Sequence, residues 1–129
     1  MSSFSNHLEA SLLDHVFSRS AGYAQPDIYV ALSRADPGDD AAGLDEPDAG
    51  AYARVLVSSW NRSGNVVSNA SDVVFPEASA GWGEITHFAI MDALADGNML
   101  MHSAVSPAQE IVAGNTAVFK AGQLTVELD

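Results

Sequence analysis

Beyond residue 52 the chain is a succession of short apolar or β-branched runs with a turn signal after nearly every one. The runs fall at 52–57, 66–67, 73–75, 85–91, 99–105, 110–112, 116–120 and 124–128. Between them stand Ser63-Gly64-Asn65, Gly81-Trp82-Gly83, Asp96-Gly97-Asn98, Gly114-Asn115 and Ala121-Gly122. Glycine and asparagine tolerate the backbone angles of tight turns, so each group ends one strand and reverses the chain into the next. Strands this short at such spacing have room for hairpins and none for crossover helices. They predict an all-β, antiparallel β-sandwich, jelly-roll-like, over residues 27–129. The last run is the cleanest: Leu124, Val126 and Leu128 alternate inward against Gln123, Thr125 and Glu127.

The first 26 residues have a different period. Leu8, Leu12 and Val16, joined by Leu13 and Phe17, lie at helical spacing and predict one N-terminal α-helix over 6–18. Asn6 is the expected cap, with Glu9 completing a capping box and Gly22 closing the helix. The polar face carries Glu9, Asp14, His7 and His15, where a membrane-surface helix would carry Lys and Arg. After Pro26 the period falls to two, with Ile28, Val30 and Leu32 on one face of a strand. A turn-rich loop follows at 36–48, with six carboxylates in thirteen residues.

Composition sets the outer limits. One core is expected for 129 residues of which 47% are hydrophobic. The absence of cysteine excludes disulfides, thiolate chemistry and cysteine-ligated metals. Five Lys plus Arg against 17 Asp plus Glu give a net charge of −12. Such a surface repels nucleic acid and suits a basic partner. No apolar run reaches the ~18 residues of a membrane span. The start, without a basic region ahead of an apolar stretch, is not read as a secretory signal, and the protein is expected to begin near Met1.

Catalytic chemistry finds little support. There is no nucleophile elbow, phosphate-binding glycine loop or His-Glu-x-x-His helix. The acidic loop departs from the calcium-binding EF-hand pattern at Gly38, Ala42 and Pro47. It reads as a solvated or partner-docking loop. Pairing Met91 with Asn98 would set His87 opposite His102, with Glu84 the only carboxylate expected nearby. Two imidazoles fall short of a zinc site, and structural histidines are the expectation. No enzyme, cofactor or metal is expected.

The ordered motifs carry a resemblance. They are Tyr-Val-Ala-Leu-Ser (29–33), Ala-Asp-Pro (35–37), Tyr-Ala-Arg-Val (52–55) and Val-Val-Phe-Pro (73–76). They continue with Trp-Gly-Glu-Ile-Thr-His-Phe-Ala-Ile (82–90), Asp-Ala (92–93), Gly-Asn-Met-Leu (97–100), Ala-Gly-Asn-Thr (113–116) and Ala-Gly-Gln-Leu-Thr-Val (121–126). Together they resemble a family of small tailed-bacteriophage virion proteins, often labelled tail fibre or minor structural proteins. The resemblance implies a β-sandwich that assembles on the phage particle without catalysis. A compact acidic domain with a helical extension fits a capsid decoration or cement protein first. That protein would bind the major capsid protein or other virion proteins, as a homo-oligomer with a trimer favoured, and touch neither nucleic acid nor membrane. A tail, tail-fibre or tail-tip component is the second reading, and an unrelated binding or carbohydrate-active domain the third. The expected docking residues are Leu12, Val16 and Phe17 on the helix, Asp39, Asp40, Asp45 and Glu46 in the loop, and Trp60 and Trp82.

Overall fold

A computed structural model describes residues 3–18 and 23–127. Met1, Gly22 and Leu128, which the sequence reading used as the chain start, the helix stop and an inward-facing residue, lie outside the described residues. Ten strands and one α-helix are found among the described residues. The strands are β1 (Ser3–Phe4), β2 (Tyr29–Ser33), β3 (Val55–Leu56), β4 (Trp60–Ser63) and β5 (Val66–Asn69). They continue with β6 (Val73–Val74), β7 (Gly83–Met91), β8 (Met99–Ile111), β9 (Val118–Phe119) and β10 (Thr125–Glu127). Every pairing is antiparallel. The main sheet runs β1-β8-β7-β2-β3, while a three-stranded sheet β10-β5-β4 and a ribbon β6-β9 complete a sandwich-like fold. The expected all-β antiparallel class with one N-terminal helix is the observed one.

The core lies on the inner face of the main sheet. Val30, Leu32, Ile85, Phe88, Ile90 and Met101 pack there against Val73, Phe75, Trp82 and Leu124. Aromatic rings knit its centre: Trp82 meets Tyr52 edge-on at 5.3 Å, and Phe119 meets Phe88 at 5.6 Å. The outer face is also covered. Ala31, Ala89, Met91 and Met99 form a second apolar cluster, roofed by Tyr29 and by Ala41 and Leu44 of the acidic loop. Burial on both faces explains why Val30 to Ser33 are all buried, where the sequence reading expected alternation.

Several boundaries differ from expectation. The run at 52–57 yields strand only at Val55–Leu56, and β4, which opens on Trp60, was not anticipated. The runs at 99–105 and 110–112 are one strand, β8. The helix α1 (Asn6–Leu13) widens into a π-type turn over Asp14–Ser18. Its cap is Ser5 and not Asn6, because Ser5 is fixed by β8. The Ser5 N–H donates to the Leu100 carbonyl at 2.8 Å and its hydroxyl donates to the Met99 carbonyl. The same hydroxyl oxygen accepts the Leu8 N–H at 3.1 Å. With β1 paired to β8 and Phe4 and Leu8 packed on the core, the N-terminal segment is part of the sandwich.

Candidate functional site

The acidic loop is a clamp in which Asp36, Asp39, Asp45 and Glu46 face partners elsewhere in the chain. The Tyr52 hydroxyl donates to Glu46 Oε2 at 2.5 Å and accepts the Leu32 N–H at 3.0 Å. Burial first, and then the bond to Glu46, raise the Tyr52 phenol far above its ordinary value, so it stays a donor. Arg54 grips the same carboxylate with two nitrogens: Nη2 to Oε1 at 2.6 Å and Nε to Oε2 at 3.0 Å. Its Nη1 donates to the carbonyls of Ala93 and Asp96 in the β7–β8 turn. One guanidinium therefore joins two loops that are far apart in sequence. Such a planar fork matches a carboxylate as no lysine does. Arg34 pairs with Asp45 at 2.9 Å nearby.

The other end of the loop meets the histidines. Three pairs between β7 and β8 give the register: Met91 with Met99, Ala89 with His102, and His87 with Ala104. His87 and His102 are therefore diagonal on one face and not opposite as expected, because Met91 pairs with Met99 in place of Asn98 and the ladder slips once more at Ile90/Met91. Their carboxylates come from the loop and not from Glu84. Asp39 Oδ1 is 2.9 Å from His102 Nε2, and Asp36 lies 3.8 Å from His102 and 4.0 Å from His87. The Gly38 N–H, and then the two imidazoles, hold the Asp36 carboxyl below its ordinary range. The Asp39 carbonyl also accepts the Asn6 N–H, which joins the loop to the start of α1. Among the described residues no group of three or more His, Asp or Glu side chains is arranged to hold a metal ion.

The expected docking residues separate into two kinds. Asp39, Asp45 and Glu46 are engaged within the chain, and Asp40 accepts the Ala42 N–H at the loop surface. Trp82 is 1% exposed and its indole donates to the Gly50 carbonyl, so its ring belongs to the core and has no surface to offer. Trp60 is half-buried against the core and donates to the Val57 carbonyl. Leu12 is half-buried. Val16 and Phe17 stand out: with Leu13 they form an exposed apolar tip, Phe17 being 78% exposed. The sequence reading missed Asn69, which is buried with all its amide capacity used. Its oxygen accepts from Gly122 and Leu124, and its nitrogen donates to the Ser71 and Lys120 carbonyls.

The geometry is thus that of a small antiparallel β domain whose acidic loop is tied to its own sheets and whose helix end presents Leu13, Val16 and Phe17 outward. The profile of the family described as Podophage GP4 fiber I protein gp80 matches residues 3–127. The chain belongs to that family: it is a phage virion structural protein, and its place is the assembled virion. Comparison with curated proteins gives no match.

Proposed function

We propose that the chain is a non-catalytic component of the fibre of a podophage particle, part of the apparatus that contacts the host. The family match over nearly the whole chain carries this reading, because the family's own description names a fibre protein. It reverses the order of the sequence reading, in which capsid decoration came first. The outward tip of Leu13, Val16 and Phe17 supplies the contact with other virion subunits, and a homo-oligomer, a trimer first, is its simplest product. Repeated contacts on a symmetric appendage make a small apolar anchor sufficient, since each subunit adds to the avidity of the whole.

Gold-labelled antibody against the folded chain, applied to intact virions in the electron microscope, tests the placement. Gold confined to tail appendages is the expected result. Gold spread over the capsid shell would overturn it in favour of decoration.

A further inference from the structure

The loop over residues 36–48 lies on the outer face of the main sheet as a strap, and different chemistry fastens its two ends. Between the ends, Ala41 and Leu44 cover Ala31, Ala89, Met91 and Met99. The later end is held by cations that do not titrate: Arg34 on Asp45 at 2.9 Å and Arg54 on Glu46 at 2.6 Å. The Arg34 N–H also donates to the Asp45 carbonyl at 2.9 Å. The earlier end, where Pro37 is buried, is held by His102, whose side chain is 11% exposed. The Asp39 carbonyl accepts the Asn6 N–H at 2.9 Å, so this end also holds the start of α1.

Both nitrogens of the His102 ring face carboxylates. Nε2 is 2.9 Å from Asp39 Oδ1, and Nδ1 is 3.8 Å from Asp36 Oδ1. A neutral imidazole has one N–H, so it serves one of these oxygens and turns a lone pair towards the other. The imidazolium donates on both sides. The Gly38 N–H, and then the two imidazoles, hold the Asp36 carboxyl low, so it is an anion wherever the rings titrate. His87 reaches the same Asp36 at 4.0 Å through Nε2, while its Nδ1 lies 2.8 Å from the Thr86 hydroxyl. That hydroxyl donates or accepts as the ring requires, so His87 fits its site in either charge state. The strands beside His102 bring no further charge, with Ala89 across from it on β7 and Ser3 on β1. On α1, His7 and Glu9 are exposed, and Asp40 of the strap accepts the Ala42 N–H.

We propose that His102, with Asp39 and Asp36, is a pH-operated latch. Its imidazolium fastens the earlier end of the strap and the start of α1, and loss of the proton frees both while the arginine end stays shut. The latch is closed below the imidazole range, about pH 6.5, and opens as pH rises through it. Protonation of the carboxylates opens it again near about pH 4, so closure peaks between the two ranges. Amide hydrogen exchange on the full chain tests this, as protection against the intrinsic rate at about pH 5.5 and about pH 8. The Gly43 N–H, bonded to the Pro37 carbonyl, and the Asn6 N–H report on the latch; the Arg34 N–H reports on the arginine end. Protection of Gly43 and Asn6 should be about fivefold lower at the higher pH, the scale of one partly screened charge pair, with Arg34 unchanged. Equal protection at both pH values, or a fall shared by Arg34, would overturn the proposal. His102→Gln keeps one donor for Asp39 and has no proton to lose, so it should abolish the response. Asp39→Asn, at an exposed position, is the second variant and should weaken it, because the ring then meets a neutral amide. An undiminished response in either variant would remove the His102–Asp39 pair from the account.

Discussion

At the scale of single residues, two polar groups hold distant parts of the chain together. Asn69 bridges β5 to the turn before β10 through three amide hydrogen bonds, with a fourth to the Ser71 carbonyl, in a site that is 1% exposed. Asn69→Ala strands buried donors and acceptors, each worth about 1–3 kcal/mol when left unpaired. We expect a loss of about 2–3 kcal/mol in urea unfolding, with Asn61→Ala on exposed β4 as a silent control. Arg54 has a side chain 7% exposed and faces a Glu46 that is 19% exposed, so removing it leaves a carboxylate with little water. Arg54→Met should cost about 3 kcal/mol. Arg54→Lys should recover only part of this, because an ammonium cannot bind both carboxylate oxygens and two carbonyls in one plane. A lysine variant as stable as the parent would show that the fork is unnecessary.

Among elements, the N-terminal segment has two faces with different work. Leu8 packs on the core and Phe17 does not touch it. Leu8→Ala should lower the melting point, by about 2 kcal/mol of stability for a half-buried leucine. Phe17→Asp should leave melting within about 0.5 kcal/mol of the parent and reduce assembly into oligomers or virions, read by light scattering and by particle incorporation. Equal incorporation of Phe17→Asp and the parent would remove the tip from the account. The helix itself was legible in the sequence, since the spacing of Leu8, Leu12 and Val16 has one reading. Its cap was not legible, because Ser5 is selected by the carbonyls of Met99 and Leu100 and a local pattern cannot contain them. The same limit explains β2 and the histidines. Alternation of Ile28, Val30 and Leu32 was visible, but the roof of Ala41 and Leu44 that buries Ala31 is a tertiary fact. The register of His87 and His102 turned on the pairing of Met91 with Met99 and on an irregularity at Ile90/Met91, neither of which has a sequence signature. The acidic loop was located correctly as a loop, and its partners came from five separate stretches of chain, at Asn6, Arg34, Tyr52–Arg54, His87 and His102.

On the scale of the whole molecule, the loop clamp makes stability depend on acid. Asp36 has a carboxyl held below its ordinary value, so it is ionised in the folded state when the unfolded chain has begun to bind protons. Its contribution is fully present above the ordinary carboxylate range, about pH 4, and is lost as pH falls through the lowered folded value. Hydrogen-exchange protection in residues 36–48, measured against the intrinsic rate at each pH, should therefore fall below about pH 4, ahead of that of the core amides of β2 and β7. Simultaneous loss of both would mean that the loop has no separate opening. The charge of −12 adds self-repulsion within the folded chain, which salt screens over about 10 Å at 0.1 M. A virion protein with an exposed apolar tip and an internally bonded loop presents different surfaces on its different sides.

A cryo-EM map of the intact virion, resolved well enough to place this fold, tests that account most directly. The account predicts the domain in the fibre, with Val16 and Phe17 against a neighbouring subunit and the 36–48 loop closed on its own sheet. A map with the domain arrayed on the capsid lattice, or with Phe17 in open solvent, would contradict it.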